Sequence, residues 1–207
     1  MITLYDYPKS SAAYRVRIAL NILELPYKKV HVNLLDGAHR TAENLARNKQ
    51  GLVPTLEIDG QLLTQSLAII EYLDEVRGTM FLPRDPLARA RVRTLSYAIA
   101  MEIHPICNLS VAKYTANHSG DHITMQSWMQ AFIPKGLAAF EAMLDHPETG
   151  KYCHADRITM ADLCLVPQVY NADRWGIDMV PFARINAIME NLQAHSAVRA
   201  AHPDYPS

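Results

Sequence analysis

The sequence is poor in three features: paired cysteines, excess charge of one sign and long apolar runs. Its three cysteines are an odd number with no close-set pair, which argues against a disulfide framework and against a CxxC motif. The 20 basic and 21 acidic residues nearly cancel, so nucleic acid is a poor candidate partner. No apolar stretch approaches the roughly 18 residues that cross a bilayer. We therefore expect a soluble cytoplasmic protein with no cleavable signal and no membrane partner.

A metal centre is also not indicated. The chain has nine histidines, but no helical HxxxH pair with a third ligand in view. The cysteines, Cys107, Cys153 and Cys164, stand in apolar surroundings and are predicted to be core thiols. The reactive chemistry of this chain is therefore sought in other residue types.

The first 80 residues carry the pattern of a mixed α/β domain. Apolar residues alternate in segments 2–7 and 30–34 and recur at helical spacing over 15–25, which predicts a βαβ unit. A polar helical stretch follows near 39–47. Asp59-Gly60 separates two further alternating segments and predicts a hairpin, after which Ser66 is a candidate N-cap for a helix over 67–76. The predicted order is β-α-β-α-β-β-α.

The rest of the chain shows helical spacing only. Residues 78–86 contain glycine and prolines and predict a linker, so the two domains are expected at 1–80 and 87–207. Helices are predicted over 87–114, 123–144, 159–173 and 181–194, and a loosely held tail from His202 onward. Thr159 and Asp162 form a candidate capping box, and the apolar helix that follows belongs in the middle of a bundle.

The first strand-to-helix turn contains Ser10 and Ser11. A helix N-terminus holds anions, and a serine hydroxyl can donate to one, so a thiolate would suit this turn. Lowering a thiol pKa by two units takes roughly 2.7 kcal/mol. A helix end contributes about 0.3–1 kcal/mol and a charged hydrogen bond about 1.5–3 kcal/mol, which together suffice. The alternative is that both serines merely cap the helix.

Two further segments offer ligand-binding groups. Proline after Val53 holds that residue extended, and a cis bond would expose its backbone to a peptide-like ligand. Gln65 and Ser66, at a helix start, suit an amino-acid carboxylate. Taken singly, Pro54 could be a turn proline and Ser66 only an N-cap. A thioredoxin-like βαβ-ββα unit would gather all three segments at one edge.

These residues carry a resemblance to a known family. The chain is similar to the zeta class of glutathione transferases in four motifs: Ser10-Ser11 with 15–20 (RVRIAL), 53–56 (VPTL), 65–73 (QSLAIIEYL) and 159–169 (TMADLCLVPQV). The resemblance implies a thioredoxin-like N-terminal domain that binds glutathione, an all-helical substrate domain and a homodimer. It also implies glutathione-dependent cis-trans isomerisation of a dicarboxylate, either maleylacetoacetate or maleylpyruvate.

The resemblance also implies roles for single residues, carried position by position. The catalytic group would be Ser10, Ser11 and Arg15, and the substrate group Lys9, His104 and Arg174. The glutathione-binding group would be Ser10, Ser11, His39, Val53, Pro54, Gln65, Ser66, His104, Asn108 and Ser110. One position departs from the family, because Ala12 stands where many members have cysteine. The serine mechanism is unaffected, since glutathione brings the sulfur.

Other interpretations stay open at this level. Lys9 and Arg15 could be solvated, His104 could only bridge a bend before Pro105, and Arg174 could pair with a carboxylate. Within the enzymes, glutathione transfer to α-haloacids is the runner-up, and outside them a non-catalytic binding module is the alternative. The run Asn108-Leu109-Ser110 favours maleylacetoacetate over maleylpyruvate as the substrate, by resemblance to family patterns.

Overall fold

The structure is a computed structural model, and it describes residues 1–78, 81–120 and 122–205. The chain divides into two compact units, Met1–Phe81 with Gln193–Ser207, and Leu82–Leu192. The last segment thus belongs with the first unit, whereas the sequence placed it in the helical domain. Two residues of the predicted linker, Thr79 and Met80, lie outside the described residues.

The described residues contain four strands and ten α-helices. The strands are β1 (Ile2–Asp6), β2 (Tyr27–His31), β3 (Thr55–Ile58) and β4 (Gln61–Thr64). The helices are α1 (Ser11–Ile22), α2 (Ala42–Arg47), α3 (Ser66–Arg77), α4 (Pro86–Tyr97), α5 (His104–Ile106), α6 (Leu109–His118), α7 (Met125–Met143), α8 (Met160–Arg174), α9 (Ala183–Ala194) and α10 (Ser196–Ala200).

The first unit is built on a four-stranded mixed sheet. Its strand order is β2-β1-β3-β4, with β1 parallel to β2 and antiparallel to β3, and β3 antiparallel to β4. The predicted hairpin at Asp59-Gly60 and the predicted element order are confirmed, and the sheet is thioredoxin-like. The core of this unit is apolar and almost fully buried, with Leu4, Ile18, Leu20, Leu56, Ile58, Ile69, Ile70, Leu73 and Phe81 at 1% exposure or less.

Two element boundaries in this unit differ from the prediction. The helical stretch near 39–47 splits into a 3₁₀ turn, Ala38–Arg40, and α2, because the Thr41 side chain caps α2 by accepting from the backbone N–H of Asn44. Gln65, not Ser66, is the N-cap residue of α3, and Ser66 is the first helical residue.

The regular elements in the described part of the second unit are all helical, and an isolated bridge between Thr149 and Ala155 lies in the loop between α7 and α8. The long helix predicted over 87–114 is interrupted twice. Helix α4 continues as a π-helical stretch, Ala98–Ile103, and the helical conformation is interrupted again between α5 and α6. Pro105 has no backbone N–H to donate, and Asn108 restarts the helix as an N-cap. Helix α8 is buried along Met160–Val169, and the capping box of Thr159 and Asp162 is confirmed.

Candidate active site

Strand register brings the predicted glutathione segments of the first unit to one end of the sheet. Tyr5 of β1 lies opposite Thr55 of β3, and Thr55 lies opposite Thr64 of β4. The turn that leaves β1 toward Ser10 and the segment 65–66 that leaves β4 therefore lie at the same end of the sheet, on either side of the segment 53–54 that enters β3. Because β2 is parallel to β1, the segment after it, which carries His39, leaves from the same end.

Ser10 occupies the N-cap position of α1. Its backbone is extended, and its Oγ accepts from the backbone N–H of Ala13 at 3.2 Å. Within the described residues no acceptor takes the hydroxyl hydrogen of Ser10, so the same side chain can cap the helix and still donate to an anion. Ser11 is the first residue of α1. Lys9 is exposed in the turn before Ser10.

Arg15 is buried, which rules out the solvated alternative for this residue. It is 2% exposed, and its Nη1 donates to Ser66 Oγ at 3.2 Å. This bond joins α1, which follows Ser10, to the first turn of α3, which follows Gln65. Arg15 thus holds two of the predicted segments together.

The segment before β3 has backbone groups that the described residues leave unpaired. The peptide bond between Val53 and Pro54 is cis. Within the part of the chain that the structure describes, neither the N–H nor the C=O of Val53 takes part in a backbone hydrogen bond. An extended peptide could satisfy both groups, as a strand neighbour would. Val53 itself is 9% exposed, so its side chain packs inward.

Two polar groups near these segments have unusual surroundings. Gln65 has a positive φ of 68°, and its Nε2 donates to Gln50 Oε1 at 2.7 Å. The Nδ1 atom of His39 is buried without a hydrogen-bond partner. Burial, and secondarily the charge of Arg40, lower the pKa of His39, so the neutral ring is favoured. A buried ring nitrogen without a partner requires an explanation, and a contact with a bound polar group is one such explanation.

The predicted residues of the second unit lie on three of its helices. His104 begins α5 and is half-buried. Asn108 caps α6, because its Oδ1 accepts from Ser110 N at 2.9 Å and from Ser110 Oγ at 3.0 Å. Arg174 ends α8, is exposed, and has its guanidinium 5.8 Å from the ring of Tyr170. The carboxylate partner considered for Arg174 is not found among the described residues.

The structure adds a buried ion pair that the sequence did not single out. Arg17 Nη1 lies 2.7 Å from Asp6 Oδ1, and both side chains are about 95% buried, at 5% and 6% exposure. Arg17 stands between Val16 and Ile18 in an apolar run of α1. An arginine on the buried face of a helix is the signal that could have revealed it, since a buried charge needs a partner.

The thiols do not offer a nucleophile of their own. All three cysteines are buried and free, as predicted. Burial raises the pKa of Cys107 to about 11, and it raises the pKa of Cys153 well above its ordinary value.

In the described ranges no group of three metal-ligating side chains is present, and no helix is both long and apolar enough to span a membrane.

Comparison with known proteins gives matches along nearly the whole chain. Residues 4–79 match the family described as glutathione S-transferase, N-terminal domain, and residues 104–202 match glutathione S-transferase, C-terminal domain. The chain is 59% identical over 203 residues to the maleylacetoacetate isomerase of Rhizobium meliloti, covering 97% of this chain and 95% of that protein. It is 44% identical to the mouse maleylacetoacetate isomerase, covering 97% and 91%.

Solved structures agree with these matches. A bacterial maleylpyruvate isomerase, described as a holo structure of a zeta-class enzyme, superposes with a TM-score of 0.94 at 37% identity, over 99% of this chain and 98% of that one. The maleylacetoacetate isomerase of Methylobacterium extorquens AM1, with bound malonate and glutathione, superposes with a TM-score of 0.93 at 36% identity, over 99% and 98%.

Proposed function

The chain belongs to the zeta class of glutathione transferases, the maleylacetoacetate isomerase family, and we propose that it isomerises maleylacetoacetate to fumarylacetoacetate with glutathione as cofactor. Support comes from the 59% identity to the Rhizobium enzyme and from the ligands named for the Methylobacterium structure, glutathione and a dicarboxylate. Such a reaction would belong to the breakdown of tyrosine and related aromatic compounds.

One observation carries the proposal: the register of the sheet gathers Ser10, Val53 and Gln65 with its neighbour Ser66 at one end. These groups fit a γ-glutamyl peptide with a thiol. Ser10 offers a hydroxyl hydrogen, Val53 offers a backbone donor and acceptor, and the first turn of α3 offers free N–H groups. Glutathione would bring the thiolate that adds reversibly to the cis double bond and lets it rotate.

The task of Ser10 is to hold the sulfur as a thiolate. Its hydroxyl would donate to the sulfur, while the N-terminus of α1 contributes a partial positive charge at the same point. The two contributions sum to about 2–4 kcal/mol, which corresponds to a thiol pKa lowered by about one and a half to three units. Ser11 would supply a second hydroxyl in the same turn.

The remaining residues of the first unit would hold the rest of the cofactor. Val53 would pair with the cysteinyl backbone, and Gln65 and Ser66 would bind the γ-glutamyl end. The unpartnered Nδ1 of His39 would face the glycine end, where a neutral ring can donate a hydrogen bond to a carboxylate. Arg15 would act through Ser66, because its guanidinium is already bound to that hydroxyl.

A dianionic substrate needs cationic groups and hydrogen-bond donors. We assign the carboxylates of the substrate to Lys9, His104 and Arg174, of which Lys9 and Arg174 are exposed at the ends of their segments. Asn108 and Ser110 would contribute to cofactor binding in addition to capping α6. These roles come from the family resemblance.

Replacement of Ser10 by alanine is the central test. We expect Ser10→Ala to lower kcat by about a hundredfold or more, because the sulfur loses its donor, while the circular dichroism spectrum stays that of the wild type. Thr124→Ala is the matched control, since Thr124 is also a hydroxyl N-cap, accepting from Ser127 N at 3.0 Å on α7. Each variant should lose about 1 kcal/mol of stability. Wild-type turnover in Ser10→Ala would contradict the mechanism.

The competing substrates are separated by one assay. The rate constants kcat/KM for maleylacetoacetate and for maleylpyruvate are measured in the ultraviolet, each with and without glutathione. We expect the ratio to favour maleylacetoacetate and both activities to need glutathione. A ratio that favours maleylpyruvate, or a larger activity toward an α-haloacid, would assign the chain to the alternative enzymes.

A binding module without catalysis would be distinguished by the rate assay. It would show no turnover of any of these substrates, whether or not glutathione binds.

We further propose that the protein is a cytoplasmic homodimer, as the family resemblance implies. Sedimentation equilibrium is expected to give twice the chain mass of 23.3 kDa, and cell fractionation should recover the protein in the cytosolic fraction.

A further inference from the structure

Arg17 is bound to three separate parts of the first unit. Its Nη1 donates to both carboxylate oxygens of Asp6, at 2.7 and 2.8 Å, where β1 ends. Its Nη2 donates to the carbonyl of Pro8 at 2.8 Å, and its Nε donates to the carbonyl of Ala201 at 3.0 Å. All three nitrogens of the guanidinium are therefore engaged, in a residue that is 4% exposed.

The bond to Pro8 falls on the turn that presents Ser10. This turn is closed by the backbone N–H of Ser10, which donates to the carbonyl of Tyr7 at 2.9 Å. The carbonyl of Pro8, within the turn, is held from the other side by Arg17. The backbone before Ser10 is thus fixed at two points, one local and one from the second turn of α1.

The bond to Ala201 brings the C-terminal segment into the same cluster. Ala201 is 1% exposed, and the ring of His202 meets the ring of Tyr14 edge-on at 6.1 Å. The Tyr14 ring lies 4.9 Å from the Arg17 guanidinium carbon. The tail predicted to be loosely held from His202 is therefore packed at its start, and Ala201, the residue before it, supplies an acceptor to Arg17.

We propose that Arg17 is a positioning residue for the reaction, which sets the Ser10 turn by joining it to Asp6 and to the C-terminal carbonyl of Ala201. Asp6 neutralises the charge of Arg17. Arg17 therefore affects the sulfur by positioning the hydroxyl of Ser10, and not by its own charge. Donor placement matters because displacement by about 1 Å can cost about a hundredfold in rate. The inference rests on the proposed function, because Arg17 is proposed to hold Ser10, the residue at the centre of that function.

The test replaces Arg17 by lysine, which keeps the charge but cannot donate from three nitrogens in a planar fork. We expect Arg17→Lys to lower kcat by about tenfold or more with a change in the glutathione KM below about threefold, since Val53 and Gln65 are untouched. The ultraviolet absorbance of the thiolate of bound glutathione should titrate at higher pH than in the wild type. Without glutathione, amide hydrogen exchange in residues 7–14 should become faster.

Arg47→Lys is the matched control. Arg47 of the first unit also forms an ion pair, with Glu43, but its side chain is 24% exposed and its guanidinium lies against the ring of Tyr5. Its replacement should leave kcat and the thiolate titration unchanged. If Arg17→Lys lowers only the melting temperature and leaves kcat and the titration at wild-type values, the positioning role is overturned.

Two other variants keep the proposal falsifiable should Arg17→Lys fail to fold. Asp6→Glu keeps the charge of the partner but displaces its carboxylate, and deletion of residues 201–207 removes the Ala201 carbonyl while Arg17 and Asp6 stay. Both should shift the thiolate titration in the same direction as Arg17→Lys, the deletion by less. An unchanged titration in both would overturn the proposal.

The titration uses no isomerase substrate, which separates the two conclusions. A wild-type protein that binds glutathione as a thiolate but does not turn over maleylacetoacetate would count against the proposed function alone. The opposite outcome is a wild-type enzyme with full isomerase activity, while the variants at Arg17, at Asp6 and in residues 201–207 all leave the thiolate titration unchanged. That result would count against the positioning role alone.

Discussion

Gln65 holds its backbone in a conformation that ordinary side chains seldom adopt. Its φ is 68°, directly before α3, in a segment assigned to cofactor binding. A non-glycine residue at positive φ costs of order 1–3 kcal/mol and persists where its surroundings require it. If the chain left β4 through an unstrained turn, the side chain of Gln65 would point in another direction. Cofactor binding is therefore a reason to retain the strained conformation.

Substitutions at position 65 can separate strain from the amide contact. Gln65→Ala keeps the positive φ of a side-chain residue and loses the amide, whereas Gln65→Gly loses both the amide and the strain. We expect the glycine variant to be more stable than the alanine variant by about 1 kcal/mol in urea unfolding. Both should raise the glutathione KM to a similar degree. Equal stability of the two variants would show that position 65 is unstrained.

Cys107 is expected to be inert toward alkylation. With a pKa of about 11, only about one thiol in a thousand is ionised at pH 8, so iodoacetamide should react about a hundredfold more slowly than with a free cysteine. The same protein in guanidinium chloride, where all three cysteines are exposed, provides the control. Fast labelling of the folded protein with loss of turnover would give the chain a thiol chemistry of its own.

At the scale of elements, helix α7 packs unusually close to the π-helical stretch. A Cβ on Gly136 of α7 would clash with Cγ1 of Ile103, a residue that is 4% exposed and stands directly before His104. Glycine in a helix costs about 1 kcal/mol relative to alanine. The close approach explains its presence, since any larger residue would have to displace the buried side chain of Ile103.

Gly136→Ala should therefore destabilise the protein despite the better helix propensity. We expect a loss of about 1–3 kcal/mol from overpacking, measured by urea unfolding. The control is the double variant with Ile103→Ala, which removes the atoms that would clash. In that background the added methyl group should be neutral or stabilising, and a cost equal to that in the single variant would exclude the contact as the cause.

The N-terminus of α8 depends on a buried carboxylate. Asp162 is fully buried and accepts from Cys153 N at 2.9 Å, Thr159 N at 2.7 Å and Thr159 Oγ1 at 2.8 Å. Burial raises its pKa, but these donors oppose the shift. One side chain thus satisfies groups from the cap and from the preceding loop.

The side chain of asparagine would place an NH2 group, which donates hydrogen bonds, where a carboxylate oxygen of Asp162 now accepts them. Asp162→Asn should destabilise the protein by about 1–3 kcal/mol, followed by tryptophan fluorescence during denaturation. Asp85→Asn is the matched control, because Asp85 is an exposed N-cap, on α4, where asparagine caps equally well. A loss of similar size at Asp85 would mean that burial at Asp162 is not what matters.

At the scale of the whole molecule, the chain ends in the unit where it begins. The carbonyl of Ala197 in α10 accepts from Asn21 Nδ2 of α1 at 3.1 Å, in addition to the bond between Arg17 and Ala201. Residues 196–201 should therefore share the protection of the first unit against amide hydrogen exchange.

Asn21→Ala tests this attachment. Exchange in residues 196–201 should become faster, because α10 loses one of its bonds to α1. Asn191→Ala is the control: Asn191 donates to the carbonyl of Lys151 at 3.1 Å within the second unit, and its loss should leave α10 unaffected. Equal exchange of residues 196–201 in both variants would show that the side chain of Asn21 does not hold the tail.

Most of the elements could be predicted from local patterns. Alternation and helical spacing located the strands and the long helices, Asp59-Gly60 located the hairpin, and Thr159 with Asp162 located the start of α8. These features depend on residues close together in the chain, where steric and hydrogen-bonding preferences act directly. Boundaries were less certain, because the N-cap of α3 at Gln65 requires a positive φ that no local preference of glutamine predicts.

The sequence by itself determined the class of fold, the family and the candidate segments at Ser10, Val53 and Gln65. Only the tertiary structure decided that Arg15 is buried against Ser66, and that Arg17 joins Asp6, Pro8 and Ala201. The bond to Ala201 spans 184 residues, and no periodicity reports a contact at that separation. A buried charge finds its partners wherever the folded chain brings acceptors, so its environment follows from packing and not from its neighbours in sequence.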